Sequence, residues 1–196
     1  SGLTINGKKY DVRIIEKDSQ SSTDRASNLA AQLIMKDKVD LLLVQDSLSS
    51  ITAADQAELN GVPAVSTMMP WQAWMFPRKG DPKVGFEWTY HFFWGLEDVI
   101  AAYTDIWTSV PTNKAVGTIY SKDPGGEAFG SEEFGVPAAL KKISYKEVKT
   151  GFFQEGAADF SPQIGKFKAE KADIVTGHSH VPDFTTFWTQ SGQQGY

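Results

Sequence analysis

The stretch Lys38–Ser66, KVDLLLVQDSLSSITAADQAELNGVPAVS, decides how the chain is read. It opens on a short continuous apolar run, passes through a Ser-rich turn, DSLSS, into the helical segment Ile51–Asn60, stops at Gly61 and enters a second short apolar run, VPAVS. Apolar runs of this length that do not alternate with polar residues fit strands covered on both faces, the setting of a parallel sheet. A glycine just past the helical segment supplies the left-handed residue on which many helices end. The stretch therefore reads β-α-β, with a right-handed crossover expected.

The same rhythm extends in both directions. Upstream, YDVRIIEKD (10–18) alternates Val12 and Ile14 with polar neighbours and predicts a strand. It is followed by TDRASNLAAQLIMKD (23–37), which sets Ala26, Leu29, Ala30, Leu33 and Ile34 on one helical face, with Ser22 or Thr23 as its cap. Residues 10–66 thus predict β-α-β-α-β. Downstream, KAVGTIYS (114–121), SYKEVKT (144–150) and ADIVTG (172–177) read as strands. They alternate with GEAFGSEEFGVPAALKK (126–142), DFSPQIGKFKAEK (159–171) and PDFTTFWTQSG (182–192) as helices. Between the two α/β units, residues 67–95 hold Trp71, Trp74, Trp88 and Trp94, a shift in composition that marks a boundary. The expected organisation is a partial N-terminal lobe over 1–91 and a partial C-terminal lobe over 92–196.

Composition narrows the function classes. The chain has 196 residues, 41% hydrophobic and 22% charged, and a formal net charge of −5 with Lys and Arg scattered among Asp and Glu. No basic stripe is present, so nucleic acid is not an expected partner. The absence of cysteine excludes thiol nucleophiles, Cys-ligated zinc and disulfides. The N-terminal SGLTINGKKY has no basic segment followed by an apolar one, and the longest apolar runs are too short to cross a bilayer.

An internal correspondence points to where a ligand would sit. KVDLLLVQDS (38–47) aligns with KADIVTGHSH (171–180), placing Gln45–Ser50 and His178–Asp183 in equivalent loops past the carboxyl ends of parallel strands. In open α/β sheets such loops are where ligands bind.

Through INGKKYDVRIIEKD, DRASNLAAQLIMKDKVDLLLV, GVPAVS, AVGTIYSKDPGGEAFG and ADFSPQIGKFKAEKADIVTG, in that order and spacing, the chain resembles the type I periplasmic binding proteins. The similarity is to the branched-chain amino acid group that serves ABC importers. It implies an α/β fold of two doubly wound parallel-sheet lobes closing around a small solute, with a hinge near Tyr90–Gly95. Members of that family carry further segments before INGKKY and after SGQQGY, so each lobe is expected to be incomplete in this chain. A second chain completing the fold is a candidate partner.

The resemblance also implies roles for particular residues. Ser49 and Ser50, just before a helix, and Thr67, after VPAVS, fall where relatives bind a ligand carboxylate; helix capping by the serines is the competing reading. Trp71 and Trp74 are candidate pocket walls, whereas Trp88 and Trp94 read as packing residues. Asp123 opens the loop DPGGEAFG, whose glycines match neither a dinucleotide fingerprint nor a phosphate loop. Gly125 replaces a tyrosine common in relatives and is expected to leave extra room. Pro182-Asp183 stands where relatives place a carboxylate against the ligand's ammonium group, which makes Asp183 the candidate amine partner.

His178 and His180, in TGHSHVPDF (176–184), have a spacing that zinc accepts, yet a site needs a third protein ligand, and His91 is the only other histidine. A carboxylate would have to supply it. The expectation is no metal and no cofactor, with His178 and His180 as a polar wall for the solute. No GxSxG or HExxH motif is present, and a non-enzymatic role is expected. The resemblance implies a periplasmic or extracellular protein, with or without a lipid anchor, that delivers an amino acid, amide or aromatic acid to an ABC transporter membrane permease. The alternatives are a doubly wound enzyme using the His/Asp site, with or without a metal, and the ligand-sensing domain of a receptor or regulator.

Overall fold

The computed structural model describes residues 2–20 and 22–196. They fall into two compact units, Ser1–Met68 with Phe86–His91, and Met69–Gly85 with Phe92–Tyr196. The Trp-rich segment is therefore divided, and Trp71 and Trp74 go with the second unit.

The first unit begins with a hairpin, β1 (Gly2–Ile5) and β2 (Lys8–Asp11), paired antiparallel. Its turn is Asn6-Gly7, both at positive φ (50° and 79°), the chemistry that a tight primed turn requires. The ladder ends at Asp11, so the strand expected over 10–18 covers only its first two residues. Val12 and Ile14 lie outside the sheets and are exposed, because alternation makes a strand only where a neighbour takes up its backbone hydrogen bonds.

Helix α1 (Thr23–Met35) is capped by Ser22, whose hydroxyl accepts the Arg25 N–H, and it buries Ala26, Ala30 and Ile34 at helical spacing. Strand β3 (Leu42–Val44) leads into α2 (Ser47–Asn60), which ends on Gly61 in the left-handed conformation, as expected. Its start differs from the reading: the helix begins at Ser47, capped by Asp46. Ser49 and Ser50 therefore lie inside the first turn rather than before it.

Strand β4 (Ala64–Ser66) follows, then α3 (Trp71–Met75) of the second unit and β5 (Thr89–His91). The sheet β3-β4-β5 is parallel. Ala30, Ile34, Leu42, Ala53, Ala57 and Ala64 form its core. On the opposite face the aligned residues Leu43, Val65 and Tyr90 are 66%, 36% and 59% exposed. The expected burial of β3 on both faces is thus found on one face only. Trp88 packs its ring beside Gly61, whereas Trp94, expected to be a packing residue, is 65% exposed.

The second unit continues with α4 (Leu96–Ser109), β6 (Ala115–Ser121), α5 (Pro124–Phe129), α6 (Val136–Lys142), β7 (Lys146–Phe153), α7 (Ser161–Ala169), β8 (Ile174–His178) and α8 (Val181–Gln193). Its sheet runs β7-β6-β8, all parallel, and every residue of the central strand β6 is buried. The single helix expected over 126–142 is two. At Gly135 a Cβ would stand 2.4 Å from the Phe129 carbonyl oxygen, a close approach that only glycine permits where the chain turns between them.

Phe153, Phe160, Ile164, Phe167 and Phe187 form the core between this sheet and α7 and α8. In the same unit Gln72 donates to Glu97 and accepts from the Leu96 N–H (2.9 Å), while the Trp71 indole donates to Glu97 (3.0 Å). These bonds fasten α3 to the start of α4.

Candidate functional site

Three strands of the second unit end side by side, and each delivers polar groups past its carboxyl end. Strand β6 supplies Ser121 and Asp123, β7 supplies Glu155, and β8 supplies His178 and His180. Asp123 caps α5, its Oδ1 accepting the Gly126 N–H at 2.9 Å. That bond fixes the carboxylate and turns Oδ2 toward His180, whose Nε2 lies 3.4 Å away. The same Nε2 is 3.3 Å from Glu155 Oε1. His178 Nδ1 shares a hydrogen bond with the Ser121 hydroxyl (2.9 Å) and stands 3.8 Å from Asp123 Oδ1. The two imidazoles meet edge to face at 5.5 Å between centroids, and Phe129 lies against His178 at 5.3 Å.

Burial sorts these groups by charge. Desolvation pushes the His178 pKa below the ordinary histidine value, against the pull of Asp123 and with a smaller push from His180, so the ring is neutral at neutral pH. Burial alone would raise the Asp123 pKa. The Ser121 hydroxyl, the Gly126 N–H and the two histidines together hold it below the usual carboxylate value, so it is ionised. The Asp123 side chain is 9% exposed, and its Oδ2 and the Nε2 of His180 are buried atoms with no hydrogen-bond partner among the described residues. The wall thus presents two carboxylates and two imidazoles, a surface that accepts cations and hydrogen-bond donors.

Gly125 has a different role from the one expected. The imidazole of His178 fills the space beside it, with Cε1 and Nε2 both 2.6 Å from where a Cβ would stand. Glycine here admits the histidine and leaves no extra room for a ligand.

Asp183 is only 3% exposed, and its Oδ1 accepts the Gly156 N–H at 2.8 Å. It ties the first turn of α8 to the loop that carries Glu155. Asp183→Ala should therefore lower stability in urea unfolding by about 1.5–3 kcal/mol, the usual contribution of a hydrogen bond to a charged group, and Asp183→Asn by less, because the amide oxygen still accepts. Equal losses for both substitutions would show that charge, not the bond, matters.

In the first unit Ser50 donates to the backbone oxygens of Asp46 (2.7 Å) and Thr67 (3.0 Å), and Ser49 donates to the Asp46 carboxylate. Asp46 Oδ1 accepts the Leu48 N–H at 3.0 Å. A carboxylate of the chain itself thus holds the helix N-terminus at which a ligand carboxylate was expected. Trp74 is 3% exposed under the Arg78 guanidinium, 4.3 Å from its ring, and packs rather than lining a surface.

Glu155 was absent from the sequence reading. Its signal was its place two residues past β7, equivalent to the loops already singled out, but Phe152 and Phe153 extend that strand beyond the SYKEVKT segment.

A family model described as periplasmic binding protein matches residues 2–196. Among solved structures, the chain is similar to a leucine binding protein from Thermotoga maritima, at 21% identity and a TM-score of 0.70, over 91% of this chain and 48% of that one. It is similar to a branched-chain amino acid ABC transporter protein from Thermus thermophilus with bound valine, at 11% identity and a TM-score of 0.68, over 92% of this chain and 44% of that one. A third is an ABC transporter solute binding protein from R. palustris in complex with 4-hydroxybenzoate, at 17% identity and a TM-score of 0.60, over 79% of this chain and 39% of that one. The chain spans about half the length of these structures or less. A comparison with curated protein sequences finds no match.

Proposed function

Because the chain belongs to the periplasmic binding protein family, we propose that it is part of a non-enzymatic solute-binding protein that delivers a small molecule to an ABC transporter permease from the periplasmic or extracellular side. The boundary after residue 91 is kept for the two partial lobes, except that Met69–Gly85 is moved from the first to the second. The observation that carries the reading is the convergence of Asp123, Glu155, His178 and His180 at the carboxyl ends of three parallel strands, where ligands of open α/β sheets bind.

The solute proposed is amino-acid-like or an aromatic acid bearing a donor, since structural neighbours carry valine and 4-hydroxybenzoate. Its donor end meets Asp123 and His180. Asp183 supports the loops instead of touching the solute, and Ser49 and Ser50 serve the start of α2, leaving Trp71 as a further proposed contact within the second unit.

A thermal-shift screen of the purified protein against amino acids, amides and aromatic acids tests this. A ligand present at a hundredfold excess over its Kd stabilises by ~2.7 kcal/mol. One compound class should raise the melting temperature, and Asp123→Asn should reduce that shift. Chemical turnover of a bound compound, or no stabilisation by any class, would overturn the reading.

A further inference from the structure

We propose that Asp123 Oδ2, Glu155 Oε1 and His180 Nε2 form a binding site for a divalent transition-metal cation, with zinc as the best match. Each of the three residues offers a ligand atom, and these atoms lie within 4.8 Å of one another. Zinc bonds to imidazole nitrogen and carboxylate oxygen at ~2.0–2.1 Å, so two ligands of a tetrahedral site stand about 3.3 Å apart. His180 Nε2 is 3.4 Å from Asp123 Oδ2 and 3.3 Å from Glu155 Oε1, two edges of such a tetrahedron. The requirement for a third ligand, which the histidines alone did not meet, is thus met by two carboxylates.

An independent observation points the same way. Asp123 Oδ2 and His180 Nε2 are buried, and neither has a hydrogen-bond partner among the described residues, although buried polar atoms almost always have one. A cation bonded to both satisfies them together. The surroundings supply orientation, as working metal sites require: Gly126 N–H holds the other oxygen of Asp123, and the His178–Ser121 bond stands beside it. One imidazole among the donors favours zinc over magnesium or calcium, which prefer oxygen alone. Three protein ligands leave the fourth position to water or to an anionic group of a solute. Zinc and the donor end of a solute would compete for Asp123 Oδ2 and His180 Nε2, and the site, standing on its own donors, does not require the solute-binding reading to hold.

The test is calorimetric titration of tag-free, chelator-stripped protein with zinc chloride, in the absence of any solute, with magnesium and calcium chlorides as parallel arms. Saturable binding of one zinc per chain is expected, with none for magnesium or calcium. Glu155→Gln should weaken zinc by at least ~10-fold, since even groups one shell further out matter that much, and His180→Ala by more. The Glu155 side chain is 47% exposed, so that variant should fold, as far-UV circular dichroism will check. No saturable zinc binding, or zinc binding unchanged in both variants, overturns the proposal.

Discussion

Gly177→Ala is expected to destabilise the chain by about 4 kcal/mol, combining backbone strain of ~1–3 kcal/mol with overpacking of similar size. Gly177 sits in β8 at φ 148°, a region that L-residues rarely enter, directly opposite Ile119 of β6. A Cβ there would stand 1.7 Å from the Ile119 carbonyl oxygen. Backbone cannot yield as a flexible side chain can, so β8 would have to move away from β6. His178 is the next residue and would lose its place against Ser121. Urea unfolding should show the loss. Gly165 in α7 and Gly192 in α8 are the controls, because a Cβ at either meets nothing within 4 Å. Alanine at those positions should be neutral or stabilise by up to ~1 kcal/mol through helix propensity. A Gly177→Ala variant as stable as these would refute the close-approach argument.

The contrast between these glycines shows what was legible in the sequence. Gly61, following a helical pattern, announces a helix end by local chemistry alone, and Ser22 announces a start in the same way. Parallel strands declared themselves by short uncharged runs such as AVGTIYS, all of which is buried. Features that depend on a partner distant in sequence were not legible. The alternation in 12–18 reads as a strand although no strand among the described residues pairs with it. GEAFGSEEFGVPAALKK read as one helix because nothing local reveals how closely Gly135 approaches Phe129.

The site divides along the same line. His178, His180 and Asp123 were found because they follow strands directly, while Glu155 joins them only through the packing of β7 beside β6. Ser49 and Ser50 read as hydroxyls at a helix N-terminus open to a ligand carboxylate, but both donate to Asp46 in the preceding turn. The side chain of Asp46 reaches the helix amide before any solute carboxylate would.

Phe167→Ala carries the other large expected effect, a loss of about 3–5 kcal/mol, the range for removing a buried aromatic ring. Phe167 is fully buried on the inner face of α7, with Phe187 at 6.4 Å and Tyr196 at 6.2 Å between ring centroids. Its ring fits the sheet because β6 carries Gly117 beneath it: a Cβ on Gly117 would stand 2.7 Å from Phe167 Cδ1. The pair is therefore complementary in volume, and each single change is harmful for the opposite reason. Phe167→Ala opens a cavity, while Gly117→Ala overfills the same space and should lose about 1–3 kcal/mol. In the double variant the added methyl enters space the ring has left. Its loss should fall short of the sum of the two single losses by about 1–2 kcal/mol, a coupling within the range for residues in contact. Urea unfolding of the four proteins measures it. Simple additivity would mean that Gly117 is required for its backbone rather than for the room it gives the ring.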